Sequence, residues 1–230
     1  MAILAGGLAT RLGPLTEKVP KSLIVINGEP FVAHQLRLLQ SRGIRRVILC
    51  VGHLGEQIEQ VVGNGRALGV EVTYSYDGAS LLGTAGAIRT ALPKLGKQFF
   101  VMYGDSYLVC DYGDVEQEFL RSHKLGLMTV FRNDGQWDAS NVEFEDGRIL
   151  KYSKKDRTPR MRYIDYGLGV FQAAAFVGTN ATDLADVYQK LLQADELAAI
   201  EVRERFYEIG SPSGLQEMTH FLSRGGDARA

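Results

Sequence analysis

The sequence predicts an α/β fold with a mixed, mostly parallel central sheet that is flanked by helices and carries inserted antiparallel strands. Three observations support this fold class. Up to about residue 125, short apolar runs typical of buried strands alternate with helical patterns. After that point strand-like runs follow one another, and Asp146-Gly147 predicts a hairpin turn. The sequence of 230 residues shows no internal repeat and no linker, so we expect one domain.

The first half of the chain predicts strands and helices in strict alternation. The strands are expected in MAILA, IRRVILCVG, VEVTYSYD and QFFVMYGD, and the helices in PFVAHQLRLLQSRG, GEQIEQVVGNG and GTAGAIRTALPKL. Pro30 starts the first helix and Gly43 stops it. The second helix is expected to turn Ile58, Val61 and Val62 inward. Right-handed crossovers between such strands give a parallel sheet.

The second half predicts the antiparallel insertion and two more helices. LGLMTVFR, SNVEFEDGRILKYSK and MRYIDYGLGVFQ read as a strand, a hairpin and a strand. TDLADVYQKLLQAD is an amphipathic helix that Thr182 could cap. Its apolar side is expected to hold Leu184, Val187, Leu191 and Leu192. A last helix is expected from Pro212 to Leu222, followed by a frayed tail.

The bulk composition excludes several classes of partner. With 45% hydrophobic and 23% charged residues and a net charge of -1, nothing indicates a nucleic acid or an anionic membrane surface as a partner. No apolar run approaches the roughly 20 residues of a membrane span, and the start lacks the features of a signal peptide. Cys50 and Cys110 lie in or beside apolar runs and are expected to be buried free thiols. We therefore expect a protein of the reducing cytoplasm.

The loop after the first strand, GGLATRLGPLTEKVPKS, is the first candidate for chemistry. It lies at the carboxyl edge of a parallel sheet, where such folds bind ligands. Gly6 and Gly7 let backbone N–H groups approach a ligand, while Arg11 and Lys21 supply cations suited to phosphate. The stretch is neither a Walker A motif nor a GxGxxG fingerprint. A glycine turn with two solvated cations explains it equally well when it is taken alone.

Two carboxylates are candidates for a metal site. Asp105 follows the buried strand QFFVMY, and Glu208 precedes Ile209-Gly210 ahead of a helix start. Two protein oxygens, with phosphates and water completing the shell, are how Mg²⁺ is usually held. A turn aspartate and a solvated glutamate are the simpler alternatives.

The stretches GTAGAIR and YSKKDRTPRMRYIDYGLGVF are weaker signals. The first opens a helix, so the N–H groups near Gly83 and Thr84 are expected to face outward as an anion site, although a plain helix start fits too. In the second, Lys154 follows one strand of the insertion, and Asp165 and Gly167 lie in the next. Lysines in such a run are more often part of a solvated surface.

Taken in order, LAGGLATRLGPLTEKVPKSL, GTAGAI, YGDSYL and YEIGSPSGL resemble the sugar-1-phosphate nucleotidyltransferases, whose opening pattern is LAGGxGTRLxPLTxxxPKxL. The resemblance covers residues 3 to about 218. YSKKDRTPRMRYIDYGLGVF looks most like the branch that includes the heptose-1-phosphate guanylyltransferases. The resemblance implies a Rossmann-like nucleotide-diphospho-sugar transferase fold and bound Mg²⁺. It also implies the reaction of a sugar 1-phosphate with a nucleoside triphosphate to give a nucleotide sugar and pyrophosphate.

The resemblance also assigns roles to particular positions. It implies a nucleotide-binding half over 1–125 and a sugar-phosphate-binding half over 126–222, with a frayed tail over 223–230. The nucleotide-binding positions are Leu4, Ala5, Gly6, Gly7, Arg11, Gly83 and Thr84. The positions for the sugar phosphate are Asn141, Lys154, Asp165 and Gly167. Arg11, Lys21 and Asp105 would be catalytic, and Asp105 and Glu208 would hold the metal.

Three positions depart from the family pattern. Ala9 replaces a glycine, Glu208 replaces the usual aspartate, and Ser153 stands where a glutamate commonly precedes the sugar-side lysine. Three alternatives to the main reading stay open: a phosphocholine cytidylyltransferase, a glycosyltransferase that uses nucleotide sugars, and a regulatory subunit without activity. The sequence identifies neither the nucleobase nor the sugar. It leaves a homo-oligomer open, and precursors of cell-surface polysaccharide are the expected products.

Overall fold

The structure is a computed structural model that describes residues 1–7, 13 and 18–226. In chain order its strands are β1 (Ala2–Leu4), β2 (Val25–Ile26), β3 (Glu29–Pro30), β4 (Arg46–Val51), β5 (Glu71–Tyr76), β6 (Gln98–Tyr103), β7 (Ser106–Leu108), β8 (Gly126–Arg132), β9 (Val142–Glu145), β10 (Arg148–Tyr152), β11 (Tyr163–Gln172), β12 (Leu197–Val202) and β13 (Phe206–Glu208). The helices are α1 (Phe31–Ser41), α2 (Gly55–Val62), α3 (Gly83–Ala91), α4 (Tyr112–Ser122), α5 (Leu184–Gln193) and α6 (Pro212–Ser223).

A mixed sheet forms the centre of the molecule and confirms the predicted fold class. Across it the strands run in the order β5, β4, β1, β6, β11, β8, β12, with the β9–β10 hairpin beside the start of β11. Strands β5, β4, β1 and β6 are parallel neighbours, and β12 is parallel to β8. Because β11 is antiparallel to both β6 and β8, it reverses direction in the middle of strands that otherwise point the same way.

This topology brings the two halves of the chain to one edge of the sheet. Strands β1, β4 and β6 end there, at Leu4, Val51 and Tyr103. The reversed strand β11 begins beyond the same edge, because Leu168 pairs with Met102 and the residues before Leu168 extend past the end of β6. The first residues of β11 therefore lie beside the loops that follow the parallel strands, where open α/β sheets bind ligands.

The helices cover both faces of the sheet and bury its apolar runs. One core cluster joins α1, α2 and α4 to the sheet through residues such as Leu36, Ile58 and Phe119. The other joins α3 and α5 through residues such as Ile88 and Tyr188. The predicted hairpin turn is present, with positive φ angles of 49° at Asp146 and 76° at Gly147, as a type I′ turn requires.

Several expectations about local structure were wrong. Val61 is 56% exposed instead of facing inward, since α2 is short and buries only Ile58 and Val62 of its apolar side. Asp183, not Thr182, caps α5, and its carboxylate accepts the N–H of Ala185 at 2.9 Å. Strand β12 was missed, although a turn at Asp195 (φ 54°) precedes it, because its LAAIEV run contains two alanines, which are uncommon in strands, and no alternation of apolar and polar residues.

The C-terminal helix and the two cysteines test further predictions from the sequence. Helix α6 continues to Ser223, so the tail predicted to fray overlaps its last residue, while residues 227–230 lie outside the described part. Cys50 and Cys110 are buried free thiols, and burial raises the pKa of each to about 12. Among the helices of the described residues, none has the length and apolar character needed to cross a membrane.

Candidate functional site

A cavity of about 240 Å³ opens at the carboxyl ends of β1, β4 and β6. Its walls come from the loops after these strands, from the start of α3 and from the turn after Pro20. The residues that line it are Leu4, Ala5, Gly6, Gly7, Lys21, Ser22, Cys50, Asp77, Leu81, Gly83, Thr84, Ala87, Tyr103, Gly104 and Asp105. Every described position that was predicted to bind the nucleotide therefore lies on this one surface. Arg11 and Ala9 lie outside the described residues.

Two glycines allow backbone segments to approach each other closely at the cavity wall. At Gly6, a Cβ would lie 3.1 Å from the N atom of Gly52 and 3.3 Å from Oδ2 of Asp77. At Gly83, φ is +72° and a Cβ would lie 2.5 Å from the carbonyl oxygen of Thr182. A side chain at Gly83 would therefore be strained twice, by the left-handed backbone and by this contact.

The start of α3 is less open than the sequence suggests. The N–H of Ala85 donates to the carbonyl oxygen of Thr182 at 2.9 Å. Thr84 Oγ1 accepts the N–H of Leu184 at 2.7 Å and lies 3.4 Å from Oδ1 of Asp183. The prediction that these groups face outward was wrong for the Ala85 N–H, because the loop before α5 packs on the helix start. Thr84 can still line the cavity with its remaining surface.

Asp77 is a cavity residue that the sequence analysis missed. It follows β5 directly, and its Oδ2 accepts the N–H of Leu82 at 3.3 Å. Burial raises the pKa of the Asp77 carboxyl, and the Leu82 N–H opposes that shift. The signal that could have found Asp77 is its place at the end of a parallel strand, the same criterion that singled out Asp105.

Lys21 and Asp105 form an ion pair at the rim of the cavity. Lys21 Nζ donates to Asp105 Oδ2 at 2.8 Å, and the two side chains are 18% and 27% exposed. Lys21 begins the short 3₁₀ turn Lys21–Leu23, and Asp105 lies in the turn between β6 and β7. The pair shows that a cation from the first loop reaches the carboxylate that follows β6, although 84 residues separate them in sequence.

Glu208 lies beside this pair through the pairing of β7 with β13. In that ladder Glu208 is opposite Ser106, and the N–H of Ile209 donates to the carbonyl oxygen of Asp105 at 2.9 Å. A Cβ at Gly210 would lie 3.6 Å from Asp105 Oδ2 and 3.9 Å from Lys21 Nζ. The two predicted metal ligands therefore come from adjacent chain segments, and glycine keeps the space at the Asp105 carboxylate open.

These two carboxylates are a donor set that suits Mg²⁺. Both supply hard oxygen ligands, and Asp105 retains solvent-exposed surface. Within residues 1–7, 13 and 18–226, no group of three or more His, Cys, Asp or Glu side chains could hold a metal ion by itself. A pair of carboxylates fits an ion that takes its remaining ligands from water and phosphates.

The predicted sugar-phosphate residues Lys154 and Gly167 lie near Tyr103, a residue that lines the cavity. Lys154 Nζ lies 5.6 Å from the centre of the Tyr103 ring and 4.0 Å from Oδ1 of Asp183. Gly167 has a φ of +99°, and a Cβ there would contact Cδ2 of Tyr103 at 3.6 Å. Tyr103 was not predicted, yet it both lines the cavity and lies beside the Lys154 ammonium.

Asp165 is held in a network within the protein. Its Oδ2 accepts from the Tyr152 hydroxyl at 3.3 Å and its Oδ1 accepts from the N–H of Gly167 at 3.1 Å. Asn141 Oδ1 accepts the backbone N–H of Asp165 at 2.9 Å. Burial raises the pKa of the Asp165 carboxyl, and the ammonium of Lys154 opposes this. Asn141 and Asp165 thus hold each other in place through this hydrogen bond. Asp165 also lies close enough to Lys154 for the ammonium to act on its pKa.

Ser153 has a local structural contact that explains part of its departure from the family pattern. It is buried, and its Oγ accepts the N–H groups of Lys155 at 3.2 Å and Asp156 at 2.8 Å. The hydroxyl therefore stabilises the turn that follows β10. This turn carries Lys154, so Ser153 contributes to the direction in which the lysine leaves the strand.

Comparisons with known proteins show which proteins this chain is similar to. The family model described as Nucleotidyl transferase matches residues 1–225. Mannose-1-phosphate guanyltransferase beta-B of Xenopus laevis is 28% identical over 223 residues, which cover 91% of this chain and 61% of that protein. N-acetylmuramate alpha-1-phosphate uridylyltransferase of Neisseria meningitidis is 40% identical over 111 residues, or 48% of each chain. The chain thus spans about three fifths of the first relative and about half of the second.

A solved structure shows the same fold. HddC from Yersinia pseudotuberculosis superposes with a TM-score of 0.82 at 22% sequence identity, and the match covers 96% of this chain and 98% of that one. Nearly the whole of both chains therefore shares one fold.

Proposed function

We propose that this chain, which belongs to the nucleotidyl transferase family, transfers a nucleoside monophosphate from a nucleoside triphosphate to a sugar 1-phosphate. The products would be a nucleotide sugar and pyrophosphate. The observation that carries the proposal is the Lys21–Asp105 pair on the cavity wall, together with the Lys154 ammonium 5.6 Å from the centre of the Tyr103 ring that lines the same cavity. The cavity would take the nucleoside triphosphate, and the Lys154 ammonium near it would bind the sugar 1-phosphate.

The proposed chemistry asks the protein for alignment and charge neutralisation. The phosphate oxygen of the sugar attacks the α-phosphorus, and pyrophosphate leaves in line with the new bond. Since that oxygen is already anionic, no general base is needed. Two anions must approach each other, so Lys21 on the triphosphate and Lys154 on the sugar phosphate would offset their repulsion. Arg11, outside the described residues, is proposed to neutralise the leaving pyrophosphate.

A magnesium ion is part of the proposal. Asp105 and Glu208 would hold it, since they supply two oxygen donors on neighbouring segments. When bound, the ion would neutralise charge on the phosphates of the triphosphate. Lys21 would then exchange its bond with Asp105 for a phosphate oxygen, and the exposed surface of both side chains leaves room for that exchange.

The names of two relatives and one cavity side chain bear on the choice of nucleobase. The Xenopus laevis relative is named a guanyltransferase and the Neisseria relative a uridylyltransferase. Asp77 presents a carboxylate to the cavity, so it would accept a hydrogen bond from an N–H group of the base. We place GTP first among the candidates, with a mannose or heptose 1-phosphate as the acceptor, for use in cell-surface polysaccharide synthesis in the cytoplasm.

A substrate screen tests the proposal. The purified protein would be incubated with each of four ribonucleoside triphosphates or dTTP, Mg²⁺ and a panel of sugar 1-phosphates, and pyrophosphate would be measured. We expect pyrophosphate only where both substrates are present, and ~10²–10³-fold slower release from an Asp105→Ala protein purified in the same way. Release from a triphosphate alone, or equal release by the variant, would contradict the proposal. Choline phosphate in the same panel tests the cytidylyltransferase alternative.

A further inference from the structure

Gln35 is a buried polar residue that the proposed mechanism does not use. It lies on α1, on the side that packs against the sheet, and is 1% exposed. Its Nε2 donates to the carbonyl oxygen of Ser106 at 2.7 Å and to that of Tyr103 at 3.3 Å. These two carbonyl groups bracket Gly104 and Asp105. One side-chain amide therefore joins the two ends of the turn that carries Asp105.

The same turn is restrained on its other sides by backbone contacts. The N–H of Gly104 donates to the carbonyl oxygen of Leu4 at 2.9 Å, and a Cβ at Gly104 would lie 2.8 Å from that oxygen. The N–H of Ile209 donates to the carbonyl oxygen of Asp105 at 2.9 Å. Strand β1 thus holds Gly104 and β13 holds Asp105, while Gln35 supplies the side-chain restraint from α1.

An amide in this place is unfavourable for the core itself. Among the described residues, Gln35 Oε1 is one of the buried side-chain oxygens that have no hydrogen-bond partner. Leaving such an acceptor unpaired destabilises the folded state. Its neighbours Leu36, Leu38 and Leu39 on α1 are all buried hydrophobic residues. The feature of Gln35 that an apolar residue cannot supply is its pair of N–H donors to the turn.

We propose that Gln35 is a positioning residue that fixes the Asp105 carboxylate for metal binding and nucleotidyl transfer. The inference rests on the proposed function for the reaction, but its effect on metal affinity can be measured without turnover. Side chains that orient a metal ligand through a second contact typically change metal affinity or activity 10–100-fold when they are replaced. Small displacements of aligned groups lower rates on the same scale.

The test replaces the amide by an apolar group of similar size. In Gln35→Met, Mn²⁺ affinity would be measured by electron paramagnetic resonance, together with kcat and the KM for the triphosphate. We expect the Mn²⁺ dissociation constant to rise about tenfold and kcat to fall about tenfold, with KM changed less than about twofold. The matched control is Gln172→Met. The Nε2 of Gln172 also donates to a backbone carbonyl, that of Lys124 at 3.1 Å. Gln172 is the last residue of β11, whereas the first residues of that strand lie at the sheet edge that carries the cavity.

A second variant guards against loss of folding in the first. Gln35→Glu keeps the size of the side chain, and burial would raise the pKa of the new carboxyl. In its protonated form that group donates one hydrogen bond, and in its ionised form it donates none. We therefore expect the ratio of its kcat to that of the wild type to fall as the pH rises. A ratio that does not change with pH would contradict a role for the N–H donors of Gln35.

The outcomes separate this inference from the proposed function. If the wild type binds Mn²⁺ but turns over no substrate pair, the proposed function fails, and the Mn²⁺ affinities of the variants still decide the role of Gln35. Wild-type affinity for Mn²⁺ in both Gln35 variants, or equal losses in Gln172→Met, would overturn the inference. An absence of Mn²⁺ binding by the wild type would overturn it as well.

Discussion

Asp105 and Asp165 are two aspartates near the same edge of the sheet, yet their surroundings differ. Asp105 is partly exposed, and Lys21, a side chain that a phosphate could attract away, holds its carboxylate. The Asp165 carboxyl accepts bonds from the Tyr152 hydroxyl and the Gly167 N–H. Neither of those donors can leave without disturbing β10 or β11. The first carboxylate is arranged to exchange partners, whereas the second is arranged to keep them.

The difference follows from the elements that carry the two residues. Asp105 lies in the short turn between β6 and β7, at the cavity rim. Asp165 lies within β11, where the ladder to β8 is irregular between Asp165 and Gly169. A residue inside a strand is restrained on both sides, and one in a turn has open space on one side. We therefore expect changes at Asp105 to act mainly on the rate, and changes at Asp165 to act mainly on stability.

The largest effect is expected from Asp105→Asn. The substitution keeps the size of the side chain but removes the charge that would hold the metal and pair with Lys21. We expect kcat to fall by ~10²–10³, the scale of losing one charge-stabilising group, with little change in unfolding temperature. Steady-state kinetics and thermal unfolding check this. Asp114→Asn, an exposed position on α4, serves as the control and should retain the wild-type rate. Equal rates in both variants would remove the distinction between the two aspartates.

The next largest effect is expected from replacing Lys154, the lysine near Asp165. The Lys154 ammonium lies near Asp183 and the Tyr103 ring. Its neighbour in the same turn, Lys155, makes no ion pair or ring contact through its side chain within the described residues. Losing a hydrogen bond to a charged group corresponds to roughly 1.5–3 kcal/mol, or about 10–100-fold. We expect Lys154→Met to raise the KM for the sugar phosphate by that factor and to leave the KM for the triphosphate unchanged. Lys155→Met should change neither, and equal effects of the two substitutions would argue against a specific role for Lys154.

A smaller effect, on stability, is expected from alanine substitutions at two glycines near the nucleotide side of the cavity. Gly83 and Gly78 both have positive φ, but only Gly83 has a neighbour at the Cβ position, 2.5 Å away, while Gly78 has nothing within 4 Å. The left-handed conformation is unfavourable for alanine by roughly 1–2 kcal/mol at either position. The contact with Thr182 should add about 1–3 kcal/mol in Gly83→Ala. Urea unfolding of both variants measures the difference, and equal losses would show that the loop before α5 moves aside freely.

The smallest effect is expected from Asp165→Asn, and it depends on pH. Burial raises the pKa of this carboxyl, so the folded protein holds its proton more tightly than the unfolded chain does. The resulting stabilisation is present at low pH and is lost as the pH rises through the raised pKa. The unfolding free energy of the wild type should therefore fall relative to that of Asp165→Asn as the pH rises from about 4, the ordinary carboxyl pKa. Urea titrations over this range measure it, and a trend of opposite sign would show that Lys154 outweighs burial.

The signals that led to the predicted nucleotide positions are local, and the structure brings the described ones to one cavity. A strand followed directly by Gly6 and Gly7, and another followed by Asp105, point to the same sheet edge, and the cavity is lined by these positions. Lys21 was placed near phosphates on the basis of its charge, and its contact with Asp105 joins two of the predicted residues. By the same rule Asp77 could have been included, since it also follows a parallel strand.

Other features could not be predicted because they depend on contacts between distant segments. Gln35 looks like one polar residue in an amphipathic helix until α1 is packed beneath the turn after β6. The Ala85 N–H looks free until the Thr182 carbonyl reaches it from a segment almost a hundred residues later. The sequence assigns Asp105 to the metal and Asp165 to the sugar phosphate, but it does not show which carboxylate is partly exposed and which is held by neighbouring strands.

The central claim is that the protein joins a nucleoside monophosphate to a sugar 1-phosphate, and isotopic labelling tests it most directly. The protein would be given a triphosphate labelled with ³²P at the α position in one reaction and at the γ position in another, with the acceptor found in the screen. We expect the α label to appear in the nucleotide sugar and the γ label to appear in pyrophosphate. A γ label recovered as inorganic phosphate, or an α label that never joins the sugar, would contradict the claim.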